Sequence, residues 1–128
     1  MKKYLPILLS LFLLAGCATS SEQKRGYRQI SMDEAVSMME TESNYIILDV
    51  RTPAEFQEKH IPNAINVPNE VIGTDEIPEL PDKEQLILVY CRSGNRSKQA
   101  SEKLVALGYT NIVEFGGINS WPGETVSE

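Results

Sequence analysis

The 128-residue sequence holds only two cysteines, one histidine and one tryptophan. Two cysteines allow at most one disulfide, and a single histidine offers no histidine cluster. No metal, nucleotide or other cofactor site is legible, so none is expected. Basic residues are also scarce: 12 stand against 18 acidic ones, a formal net charge of −6. Such a surface is a poor partner for nucleic acid or for a polybasic grip on anionic lipid. No internal repeat is visible. The longest apolar stretch, Leu5 to Leu14, is far short of the roughly 20 residues that cross a bilayer.

That short run is informative in its setting. Lys2 and Lys3 precede it, and Ala15 and Gly16 separate it from Cys17. Basic, apolar and small-residue zones in this order describe a secretory leader. Leu14-Ala15-Gly16-Cys17 resembles a bacterial lipobox, whose cysteine is lipidated and becomes the new N-terminus. The expectation is therefore export and lipid anchoring to the cell envelope through Cys17. Removing residues 1–16 takes Lys2 and Lys3 and no acid, leaving 10 basic and 18 acidic residues and a charge of −8. Residues 17–27 are polar and read as a flexible tether. Residues 28–128 then suit one domain with one core, expected as a monomer.

Within that domain, Ser31-Met32-Asp33-Glu34 forms a capping box ahead of an apolar stripe at Met32, Ala35, Val36 and Met39, which predicts a helix. Tyr45 to Val50 is continuously apolar apart from Asp49, as in a parallel strand covered on both faces. Thr52-Pro53-Ala54-Glu55 is a second capping box with proline at the first helical position. Ile65-Asn66-Val67 predicts a short strand and Leu86 to Tyr90 a buried one. A helix is expected from the Cys91 loop to Leu107, stopped by Gly108, and a last strand over Ile112 to Phe115. Glu70 to Glu84 carries six acids and one base and reads as a solvated connection with one short helix. Alternating strands and helices give an α/β fold: a small, mostly parallel sheet with helices on both faces.

Cys91-Arg92-Ser93-Gly94-Asn95-Arg96-Ser97 falls where a central strand passes into a helix, the edge at which open α/β sheets bind ligands. Gly94 permits a backbone path that turns successive N–H groups inward. The helix start adds its free amides and positive dipole end. Four of the ten basic residues outside the leader lie between Arg92 and Lys103. This stretch favours an anion, either the Cys91 thiolate or a charged substrate. The thiolate is the nucleophilic form, yet it is only about 3% of a free cysteine at neutral pH. Cys91 is thus the candidate catalytic residue, with Arg92, Ser93, Gly94, Asn95 and Arg96 as anion-binding residues.

From about Arg28 to Gly123 the sequence resembles a rhodanese-like domain of the single-domain thiosulfate sulfurtransferase type. The resemblance rests on Leu48-Asp49-Val50-Arg51 with Glu55-Phe56, on His60-Ile61-Pro62-Asn63-Ala64-Ile65-Asn66-Val67-Pro68, on the Cys91 loop, and on Gly116-Gly117-Ile118-Asn119-Ser120-Trp121. Asn63 stands where such domains commonly carry glycine, but asparagine also tolerates left-handed backbone. The resemblance implies sulfur transfer. Cys91 would take the outer sulfur of a small anionic donor such as thiosulfate, release sulfite, and pass the sulfur from a persulfide to a thiol or cyanide acceptor.

Two other classes share features with this loop. Cysteine-dependent phosphatases and arsenate reductases hold an oxyanion over a cysteine, but phosphatases of this kind need Cys-x5-Arg. Here the sixth residue after Cys91 is Ser97, and Arg96 comes one position early. A non-catalytic sulfur-carrier or binding module is the other alternative; in the family that the sequence resembles, a module that only reads a partner usually lacks the cysteine, and Cys91 is present. His60 is not expected as a base for Cys91, because it should lie at the opposite sheet edge, roughly 17 Å away. Arg51 and Glu55 are expected to form a local ion pair, and Trp121 to anchor the end of the domain.

Overall fold

A computed structural model describes residues 26–128. Cys17 and the leader lie outside the described residues. Strands β1 (Arg28–Gln29), β2 (Tyr45–Asp49), β3 (Ile65–Asn66), β4 (Leu86–Cys91) and β5 (Ile112–Gly117) form one sheet in the order β1-β5-β4-β2-β3. Every neighbouring pair in that sheet is parallel. Helices α1 (Met32–Thr41), α2 (Pro53–Glu58) and α3 (Asn95–Ala106) supply the crossovers, with 3-10 turns at Asn69–Val71 and Ile118–Ser120.

Successive strand residues point to opposite faces, so the two central strands split their side chains between two apolar layers. Leu48, Val50, Ile87, Val89 and Cys91 lie in one layer with Ala100 and Leu104 of α3. Ile47, Leu88, Tyr90 and Phe115 lie in the other with Ala35 of α1 and Phe56 of α2. Helices therefore cover both faces of a parallel sheet, as the sequence pattern predicts. Both capping boxes form: Ser31 and Thr52 each accept the N3 amide while Glu34 and Glu55 each accept the N-cap amide.

Three expectations need correction. The acidic stretch after β3 is not merely a solvated connection, since Ile72, Ile77 and Leu80 are buried in the α3-side layer. Its acids are exposed, but every few residues an apolar side chain turns under the chain, and charge counting averages those away. Tyr27, assigned to the tether by its polar neighbours, is also buried in that layer. The domain therefore begins before Arg28. Finally, β3 is only two residues long and registers with Leu48 and Asp49 at the end of β2. The strand-length separation inferred for His60 therefore does not hold.

Candidate active site

Cys91 ends β4, and Gly94 is the N-cap of α3 at φ 119°, a left-handed conformation suited to glycine. The three intervening bonds carry the chain back over the sulfur, where the Gly94 amide donates to Cys91 Sγ at 3.0 Å. Unlike α1 and α2, α3 has no side-chain cap and no acid in its first turn. Its opening amides and dipole remain available to a negative charge. Cys91 itself is only 1% exposed. The sulfur sits beneath the loop rather than on it.

The floor of the loop is set by glycine. Cys91 pairs with Gly117 on β5, past a register shift in the ladder, and the Asn119 amide donates to the Arg92 carbonyl at 3.2 Å. This close approach leaves no room for a side chain at Gly117.

The loop's charges are arranged differently from the sequence-based expectation. Arg96 grips both carboxylate oxygens of Glu55 at 2.7 and 3.1 Å, while its charge still acts on Cys91 through space. Arg51 is paired not with Glu55 but with buried Asp49 at 2.7 Å, an acid that also accepts from the Tyr90 hydroxyl at 2.6 Å. Burial, and then Asp49, push the Tyr90 phenol up. Lys103 donates to the Asn69 carbonyl at 3.0 Å and ties α3 to the chain after β3. Arg92, Ser93 and Asn95 are exposed. Arg92 lines a cavity of about 230 Å³ together with Arg51, Glu58, Lys59 and Asn119.

The Arg96 hydrogen bonds, outweighing burial, hold the Glu55 carboxyl down at about 2 from its ordinary 4.5. A carboxylate whose folded value is depressed stabilises the fold above its unfolded value and loses that contribution as pH falls through the folded one. With both side chains about one-third exposed, solvent screening reduces the pair to roughly 1–2 kcal/mol. Glu55→Gln should thus be less stable than wild type near neutral pH. In urea melts across pH, the gap should close between about 4.5 and about 2.

Two residues of the site escaped the sequence reading. Ser97 Oγ lies 3.4 Å from Cys91 Sγ and 2.5 Å from Glu114 Oε2, and both residues are buried. A glutamate inside the apolar strand Ile112 to Phe115 was the available signal. His60, by contrast, is structural, as expected. Its ring stacks on Phe56 at 3.7 Å, its Nδ1 meets the Phe56 carbonyl at 2.8 Å, and its backbone bridges to Val126. Trp121 is partly buried against the α1-side layer and donates to the Glu124 carbonyl at 2.9 Å.

Comparison with known proteins agrees with this arrangement. The Rhodanese-like domain model matches residues 31–124. The chain is 38% identical over 71 residues to "Thiosulfate sulfurtransferase PspE" of Escherichia coli, covering 56% of this chain and 68% of that protein. It is 36% identical to "Adenylyltransferase and sulfurtransferase UBA4" of Candida albicans, covering 78% of this chain but only 24% of that longer protein. Among solved structures, an Escherichia coli rhodanese with anions superposes with a TM-score of 0.60 at 33% identity, covering 66% of this chain and 99% of that one. With the parallel sheet, the cysteine loop at its carboxyl edge and a family match across nearly the whole described domain, the chain belongs to the rhodanese-like domain family.

Proposed function

We propose that the protein is a sulfurtransferase that carries sulfane sulfur on Cys91. The observation that carries this reading is the Gly94 amide directed at Cys91 Sγ under the open start of α3, together with relatives whose names state sulfurtransferase activity. The Cys91 thiolate attacks the outer sulfur of thiosulfate. An S–S bond forms to Cys91, the sulfur–sulfur bond within thiosulfate breaks, and sulfite leaves with that electron pair. The persulfide is anionic, so the loop amide directed at the sulfur and the helix dipole favour the intermediate. Cyanide or a thiolate then takes the terminal sulfur and restores Cys91. Arg92, exposed beside the loop, draws the dianionic donor, while Arg96 adds its through-space charge and holds α2 to the loop. Mass spectrometry after brief thiosulfate treatment should show one added sulfur on the peptide containing Cys91. An unmodified peptide after treatment with active donor would remove the basis of the mechanism.

The leader supports a further part of the proposal. The mature protein is held at the cell envelope by lipid on Cys17 and works in the exported compartment, facing small solutes rather than nucleic acid. Wild type should partition into the membrane fraction and Cys17→Ser into the soluble one. Wild type recovered as soluble protein with an unmodified Cys17 would exclude the anchor.

A further inference from the structure

Glu114 has no part in the mechanism above, yet it is 1% exposed at the heart of the domain. Its Oε2 accepts from Ser97 Oγ at 2.5 Å and from the Gly116 amide at 2.9 Å. Its Oε1 is buried without a hydrogen-bond partner. Among the described residues no salt bridge includes it. A fixed carboxylate in such a place is poorly compensated, because buried ions ordinarily need a counter-charge or several donors on both oxygens. A carboxyl group that is neutral for part of the time fits better, since an unpartnered carbonyl oxygen costs far less than an unpartnered anionic one.

The route for the proton is on the same face of the sheet. Cys91 Sγ is 3.4 Å from Ser97 Oγ, which is 2.5 Å from Glu114 Oε2. A hydroxyl has one hydrogen and can both donate and accept, so this row can be polarised in either direction. With a thiol at one end, S–H donates to Ser97 and Ser97 donates to the Glu114 carboxylate. With a thiolate, protonated Glu114 donates to Ser97 and Ser97 donates to sulfur, alongside the Gly94 amide.

We propose that Glu114 is a positioning residue for the Cys91 nucleophile, exchanging one proton with the thiol through the Ser97 hydroxyl. In the forward step the Cys91 S–H bond breaks, an O–H bond forms on Ser97, and the original Ser97 proton passes to Glu114 Oε2. A thiol and a carboxylate become a thiolate and a carboxylic acid, with no change in net charge and no other reactant. The buried site then holds one negative charge, located at either end of the row. The inference rests on Cys91 being the reactive thiol, but not on sulfur being what it transfers.

The charges around this row are few. From α3, Arg96 acts on Cys91 and is itself held by Glu55 of α2 and influenced by Glu70. Arg92 on the loop and Lys98 and Glu102 on α3 are exposed, as are Asp33, Glu34 and Glu40 of α1. Lys103 is turned to the Asn69 carbonyl. Beside Glu114 in the sheet stand Val89 of β4 and Gln29 of β1, neither of them ionisable.

Alkylation of Cys91 by iodoacetamide reads the thiolate without requiring sulfur transfer. A shared charge predicts a wild-type rate with a pH-independent plateau at intermediate pH and a second rise at high pH, when both ends ionise. Glu114→Gln and Ser97→Ala should each show one continuous rise, and Ser97→Thr should restore the plateau. In wild type, infrared difference spectra on alkylation should show loss of a protonated-carboxyl band, a band absent from Glu114→Gln. Variant profiles of unchanged shape and merely lower rate, or a wild-type carboxyl signal untouched by alkylation, would overturn the relay. If the plateau holds but thiosulfate leaves no sulfur on Cys91, the relay stands and the sulfurtransferase reading fails.

Discussion

Cys91→Ser should reduce thiosulfate-to-cyanide sulfur transfer to background, a fall of roughly three orders of magnitude or more. An alcohol is a far weaker nucleophile than a thiolate at neutral pH and cannot hold sulfur as a persulfide. A loss of that size corresponds to about 4 kcal/mol or more in the barrier. It should come without collapse of the fold. Cys91 is a member of the buried α3-side layer, but a serine hydroxyl there would have the Gly94 amide and Ser97 Oγ as partners. The stability change should stay near 1 kcal/mol. Turnover near the wild-type rate in a cooperatively melting Cys91→Ser protein would show that another group carries the sulfur.

Gly117→Ala is expected to damage both stability and activity through a single methyl group. A Cβ at this position would stand 2.0 Å from the Arg92 carbonyl oxygen, 2.2 Å from its carbon and 2.5 Å from the Ser93 nitrogen. These are backbone atoms, so no side chain can swing aside; the loop or β5 must move by roughly 1 Å or more to restore ordinary contact. Overpacking of this kind costs about 1–3 kcal/mol, a drop of several degrees or more in Tm for a domain of this size. The moving part is the loop that aims the Gly94 amide at Cys91, so kcat/KM should fall about 100-fold, as displacements near 1 Å do elsewhere. Gly73→Ala is the control, because nothing lies within 4 Å of its added Cβ. Equal activity in Gly117→Ala and Gly73→Ala would mean that loop position does not govern reactivity.

Much of this architecture is legible in the sequence because local rules determine it. The two capping boxes, the continuous apolar strands and the glycine before α3 each act within a few residues, and each forms where the pattern predicts. The Cys91 loop is legible for the same reason: strand end, glycine turn and helix start are consecutive. What escapes is non-local. Glu55 and Arg96 are 41 residues apart, and nothing in the chain announces that Glu55 prefers Arg96 to the nearer Arg51. Arg51 in turn is claimed by Asp49, because a fully buried acid at a strand end needs compensation more than a partly exposed one. Glu114 looks like a surface position interrupting a strand until the β4–β5 pairing and α3 bury it. β1, two residues long, is too short to carry a period, and it exists because the edge of β5 is open to receive it.

The burial of Cys91 also works as a sieve. A sulfur with 1% of its residue exposed under a short loop can be reached by a reactant only a few atoms wide, or by one whose reactive atom stands at the end of a slender arm. Encounter with a folded protein's disulfide, which brings bulk on all sides of the sulfur, is slowed by shape before electronic reactivity matters. The same size limit shields the Cys91 thiol from exchange with bulky disulfides, because it acts on access to the sulfur.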